Sequence, residues 1–159
     1  MRAARLGLLA ELARFDVRFS SWGVPTDGLT LVDGSGLDRG DRLTCHALLG
    51  VMDHNGATGP LASALPVANQ TGTLAPYFAG NPLAGVLHAK TGTLTGAKAL
   101  TGYVPVDGGH TLTFSFVYNG ANADKNAPAM YDALGRALAS YPYKPDLSAF
   151  VPAPPVVGA

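Results

Sequence analysis

Apolar and polar positions alternate along this chain with two different periods, and the changes between them mark out its elements. Near the N-terminus Leu8, Leu12, Phe15 and Phe19 recur at the three-to-four-residue spacing that lines one face of a helix. After the turn signals in "VPTDG", the short run from Leu29 to Val32 is closed by Asp33 and Gly34, which predicts a strand. The segment "TCHALLGVMDHNG" returns to helical spacing. Leu48, Leu49 and Met52 share a side, Thr44 is placed to accept from the free N–H groups of a first turn, and Asn55-Gly56 supplies the stop.

Residues 56–85 carry so many Gly, Pro, Asn and Thr that they read as one long irregular loop with at most a helical turn. Loops of that length inside a domain are usually functional. From Val86 the period becomes two: "VLHAKTGTL", "KALTGYVPV" and "HTLTFSFVYN" are three β segments, with Asp107-Gly108-Gly109 turning the second into the third. In the last of them Leu112, Phe114 and Phe116 alternate with Thr113, Ser115 and Val117, so one face is apolar. Tyr77, Phe78, Phe114, Phe116 and Tyr118 are read as core aromatics.

"NAPAMYDALGRALASY", residues 126–141, is predicted to be a helix that covers the sheet with Met130, Leu134, Ala137, Leu138 and Tyr141. Residues 142–159 are rich in proline and read as an extended tail, so the domain is expected to occupy 1–141. No internal repeat is evident. Helices at both ends of a three-strand meander predict an α+β fold, an antiparallel sheet with flanking helices.

Composition narrows the functional classes. A chain of 159 residues fits one domain and buries roughly 70% of its unfolded surface without needing staples. Lys plus Arg number 11 against 11 Asp plus Glu, with no basic cluster, so nucleic acid is not an expected partner. The only thiol is Cys45, which excludes an intrachain disulfide and a multi-cysteine metal site. Arg2 and Arg5 precede leucines as in an export signal, but Glu11 and Arg14 interrupt the apolar run, so no signal peptide is read here. No stretch reaches the 18 apolar residues of a membrane span.

The chemistry is concentrated in "HAKTGTLTG", residues 88–96. On a strand Lys90 and Gly92 point one way and Thr91 and Thr93 the other. A mid-strand glycine lets a ligand backbone approach, an ammonium beside it attracts a carboxylate, and the two hydroxyls add donors and acceptors. Elsewhere the sequence is chemically quieter. Ser35 in "DGSGLDRGDR" lacks the G-x-S-x-G spacing of a hydrolase elbow and reads as part of a turn. His46, His54, His88 and His110 have no metal-ligand spacing, and the glycines at 34–40 lack a following Lys-Ser or Lys-Thr, so neither a metal nor a phosphate-bearing cofactor is expected.

K-T-G is the third motif of penicillin-binding proteins and class A β-lactamases. "LVDGSGL" at 31–37, "LASALPVANQTGTL" at 61–74 and "HAKTGTLTGAKALTGYV" at 88–104 stand in the order found in one such family. From about residue 25 to 140 the chain resembles the C-terminal third of the D-alanyl-D-alanine carboxypeptidases of the penicillin-binding-protein-4 type, peptidase family S13. The resemblance implies part of a transpeptidase domain of the penicillin-binding-protein and serine β-lactamase kind. It further implies a serine-type hydrolase that removes the terminal D-alanine of peptidoglycan stem peptides, sometimes with endopeptidase action, and is acylated by β-lactams in the cell envelope.

Carried onto this sequence, the resemblance gives Lys90 the role of polarising the nucleophilic centre. Thr91, Gly92 and Thr93 border the substrate, the threonine hydroxyls hold its carboxylate, and the Thr93 N–H serves the oxyanion. Arg39 is expected to meet a side-chain carboxylate of the stem peptide. Two departures stand out. Asp38 and Asp41 replace the usual Ser and Asn, and neither S-x-x-K nor S-x-N occurs; Ser140 and Lys144 come nearest, at the wrong spacing. Without an activated nucleophile the isolated chain is expected to be silent. The other reading is a non-catalytic module that binds a peptide or partner through the K-T-G strand, with self-association through an exposed sheet edge.

Overall fold

Thr44 caps the first complete helix as its position predicts: its hydroxyl accepts from the Ala47 N–H at 3.0 Å, and α1 runs Cys45–Asn55. Gly56 ends it at φ 70°, a backbone state that an L side chain resists, and its N–H returns to the Met52 carbonyl. A computed structural model describes residues 15 and 17–143. Residues 17–21 are helical, with Phe15 and Phe19 ring centroids 6.0 Å apart, whereas Leu8, Leu12 and the tail beyond 143 lie outside the described residues.

Three strands follow, β1 His88–Leu94, β2 Ala97–Val106 and β3 His110–Asn119, paired antiparallel in the order β1-β2-β3. Asp107–Gly109 forms the single tight turn between β2 and β3. The meander is set by alternation. Ala89, Gly102 and Phe114 lie in one cross-strand row, Thr91, Leu100 and Phe116 in the next, and this face is covered by α3, Ala123–Ala139. The opposite face carries the rows His88, Tyr103, Thr113 and Lys90, Thr101, Ser115, and the Tyr103 hydroxyl donates to the Met52 carbonyl at the end of α1.

The irregular stretch after α1 is more than a connection. It contains α2, Pro60–Ala64, and a short 3-10 turn, Gly72–Leu74, where at most one turn is predicted. Ala68, Leu74, Phe78, Leu83 and Leu87 from this stretch join Ala89, Leu100, Val104, Phe114, Ala127 and Tyr131 in the main core. Because nonlocal burial holds it, the stretch needs no ladder of its own. Asn81 anchors it to α3: the side-chain amide donates to the Asp132 carbonyl and carboxylate, and its oxygen accepts from the Leu83 N–H.

Two expectations are corrected. Leu29 to Val32 is not a strand but a single bridge, Thr30 to Arg42, because the Val32 N–H is taken by the Asp41 carboxylate at 2.7 Å instead of a neighbouring carbonyl. The helix α3 begins at Ala123, not Asn126, and its buried stripe is Ala123, Ala127, Tyr131 and Gly135. Leu134 and Leu138 flank the core and Met130 is half-buried, while Ala137 and Tyr141 face outward. Small residues bring α3 close to the neighbouring chain: a Cβ on Gly135 would stand 2.8 Å from the Asn81 side-chain oxygen. Among the core aromatics, Tyr118 stands outside the main cluster, half-buried beside Gly120.

Candidate active site

Among the described residues β1 is an edge of the sheet; Val67 bridges His88 and the Ala89 N–H donates to the Pro66 carbonyl, so its outer side is open to an extended ligand only from Lys90 onward. Lys90 and Gly92 point to the face opposite α3, and Thr91 and Thr93 to the α3 side, as the pleat requires. Both sets meet at the free edge. Lys90 is exposed, with its ammonium on the Thr91 carbonyl at 2.7 Å. Gly92 keeps its face bare: the three nearest atoms to an added Cβ all belong to Ala99, its Cβ at 3.1 Å, and a glycine mid-strand is suited to close approach of another backbone.

Thr91 donates its hydroxyl to that of Thr73 at 2.9 Å, which ties the 3-10 turn to the strand. Thr73 therefore belongs to the site, although sequence reading did not single it out; its one signal was the "TGTL" that appears both at 71–74 and at 91–94. Thr93 is exposed and faces Lys98 across the ladder. Lys98, nearly buried, pairs with the Asp124 carboxylate on α3 at 2.8 Å, and the other oxygen of Asp124 accepts from the Gly96 N–H at 3.4 Å. The Lys98 hydrogen bond, followed by that of Gly96, holds Asp124 below the usual carboxylate range. This pair clamps the β1–β2 turn and with it the end of the strand that carries Thr93.

Arg39 reaches the same turn, its guanidinium donating to the Thr95 carbonyl at 3.5 Å. The structure thus brings Arg39 and Lys90 to Thr93 into one region. Ser35 is elsewhere in purpose: its hydroxyl and N–H both go to the Asp33 carboxylate at 2.9 Å, and Gly36 at φ 71° completes a self-contained turn. Asp38 likewise serves its own loop by accepting from Gly40 N–H. Lys90, Arg39 and Lys98 place cationic groups around an edge strand, with one of them balanced by Asp124, an arrangement that favours a carboxylate-bearing peptide.

The model of the D-Ala-D-Ala carboxypeptidase 3 (S13) family matches residues 10–141. This chain belongs to that family. Among S13 relatives, the D-alanyl-D-alanine carboxypeptidase of Actinomadura sp. is 41% identical over 142 residues, which are 83% of this chain and 26% of that protein. Carboxypeptidase DacB of Mycolicibacterium smegmatis is also 41% identical, over 76% of this chain and 28% of its own length. The chain therefore spans about a quarter of the curated S13 relatives it matches. The solved structure of penicillin binding protein 4 from Haemophilus influenzae, complexed with a β-lactam, superposes with a TM-score of 0.66 at 26% identity, over 81% of this chain and 32% of that one. The α+β architecture is thus that of a penicillin-binding protein of the S13 kind.

Proposed function

We propose that this chain supplies the substrate-holding strand of a serine-type D-Ala-D-Ala carboxypeptidase acting on peptidoglycan stem peptides in the cell envelope. The observation that carries the proposal is the placement of Lys90, Thr91, Gly92 and Thr93 on a free sheet edge within a chain that belongs to the S13 family. An extended peptide would add to β1 through main-chain hydrogen bonds. Its terminal carboxylate would lie near the Thr93 hydroxyl, and Lys90 would polarise the nucleophilic centre from the other face. The Thr93 N–H would serve the developing oxyanion, where one prepositioned donor is worth roughly 3 to 4 kcal/mol.

Thr91 enters this scheme through Thr73, whose hydroxyl fixes the rotamer of its partner. Arg39, held at the β1–β2 turn, would meet a second carboxylate of the peptide. The serine itself would come from sequence outside these 159 residues, since S-x-x-K is not among them. Titration of the chain with acetyl-D-Ala-D-Ala, followed by amide NMR, tests the reading. Shifts at 90–93 that weaken at least tenfold in Thr93→Val and Lys90→Ala are expected; a ligand that moves none of these amides would sink it.

A further inference from the structure

Lys98 stands directly across the ladder from Thr93, on the face covered by α3. Opposed residues of an antiparallel pair hold their Cβ atoms about 4.5 to 5.5 Å apart, so the lysine stem starts beside the Thr93 side chain. Its ammonium is drawn to the β1–β2 turn, because the carboxylate that accepts it at 2.8 Å, Asp124, also accepts from the Gly96 N–H of that turn. An ammonium carries three N–H donors. Asp124 is its one hydrogen-bonding partner among the described residues, which leaves donors for a ligand. The other cations of this edge lie in more water: Lys90 points to the opposite face and Arg39 reaches the turn from its own loop, both exposed. The Lys98 side chain is 10% exposed against 55% for Asp124, so the positive member of the pair sits in the lower dielectric and its counter-ion is the better screened of the two.

We infer that Lys98 is a specificity-determining residue: it joins the Thr93 hydroxyl in holding a free terminal carboxylate, and so biases the strand toward peptides that end in a carboxylate over the same peptides ending in an amide. This inference rests on the strand function proposed above and deepens it by naming the group that reads the ligand's charge. Asp124 opposes the bias, since its carboxylate lies against the ammonium and offsets part of the attraction. The pair thus has two separable effects. Its geometry holds the β1–β2 turn, and its charges set how strongly a carboxylate is preferred at Thr93.

Amide NMR titration of the 159-residue chain with acetyl-D-Ala-D-Ala, and with the same dipeptide as its C-terminal amide, reads the bias as a ratio of affinities at residues 90–93. The acid is expected to bind at least fivefold tighter than the amide in the unaltered chain. Lys98→Met, which removes the charge and keeps an unbranched stem, should bring that ratio within twofold of one while the affinity for the amide changes less than twofold. Asp124→Asn keeps a side-chain oxygen for Lys98 and Gly96 but not the charge, so the acid should bind at least twofold tighter with the amide unaffected. This second variant carries the test where Lys98→Met does not fold. A pair with only a structural role would weaken both ligands alike in both variants, and that result overturns the inference. So does a ratio near one in the unaltered chain, or an undiminished ratio in Lys98→Met; in these cases shifts at 90–93 remain and the strand reading survives. No shift at 90–93 with either ligand sinks the strand reading and this inference with it.

Discussion

Gly92 and Gly102 lie on the two strands of the same ladder, yet they are bare for different reasons, and Ala at each should show it. At Gly102 a Cβ would stand 2.6 Å from the Ala89 Cβ and in direct collision with the His88 carbonyl, so backbone must move against backbone in the buried centre of the sheet. Overpacking of this kind costs about 1 to 3 kcal/mol, and rigid backbone on the far side puts Gly102→Ala at the top of the range. At Gly92 the three nearest atoms to the Cβ all belong to Ala99, and the one tight contact, its Cβ at 3.1 Å, is relieved by a few tenths of an ångström. The gain of roughly 0.5 to 1 kcal/mol from a less flexible unfolded chain offsets that cost, so Gly92→Ala should change stability by less than about 1 kcal/mol. For a domain of this size about 3 kcal/mol corresponds to a Tm loss on the order of 10 °C. Thermal unfolding of the two variants by circular dichroism gives the stability half of the test, and peptide titration gives the other: Gly92→Ala should weaken acetyl-D-Ala-D-Ala at least tenfold. A Gly92→Ala protein as unstable as Gly102→Ala, or one that binds peptide normally, would refute the assignment of Gly92 to ligand approach.

Other outcomes follow from single contacts. The Asp124 carboxyl is held below its ordinary 3.8, so its contribution is complete above that pH and is lost as pH falls through the lower folded value; Asp124→Asn should flatten the acid limb of a Tm-against-pH curve below about pH 4. Burial, then the neighbouring Tyr77, pushes the Tyr131 phenol up to about 12, so the protein should lose stability as pH rises from about 10 to 12, a loss absent in Tyr131→Phe. The same variant removes the hydroxyl that donates to the Ala99 carbonyl at 3.0 Å and should cost about 1 kcal/mol at neutral pH by chemical denaturation. Thr44→Ala should cost about 1 kcal/mol through loss of the cap on α1, measured in the same way.

What the sequence made legible was local. Thr44 and Gly56 bound α1 because a cap and a stop act over one turn, and the β2–β3 hairpin follows from two-residue alternation across a short glycine turn. The 88–96 motif was legible as a strand for the same reason, but its place at the edge of the sheet was not. What escaped depends on distant partners. The 29–32 run has strand composition, but Asp41 captures the Val32 N–H from nine residues away. The buried stripe of α3 was misread because large apolar residues outweigh alanine and glycine in any periodicity, whereas a helix seated close to Asn81 and Phe78 requires the small ones inward. Thr73, Lys98 and Asp124 enter the site through contacts 18 to 28 residues apart in sequence, such as Thr91 with Thr73 and Gly96 with Asp124, and apart from the TGTL shared by 71–74 and 91–94 no local pattern announces these.

The central claim is that this chain carries the substrate strand while the serine lies outside it. Intact mass of the purified 159-residue chain after incubation with benzylpenicillin tests this most directly, with Ser35→Ala as the control. The account predicts an unmodified mass, since the Ser35 hydroxyl is held by Asp33 and has no lysine three places on. A stable gain of one antibiotic mass, lost in Ser35→Ala, would contradict it and make the chain a complete acyl-serine enzyme.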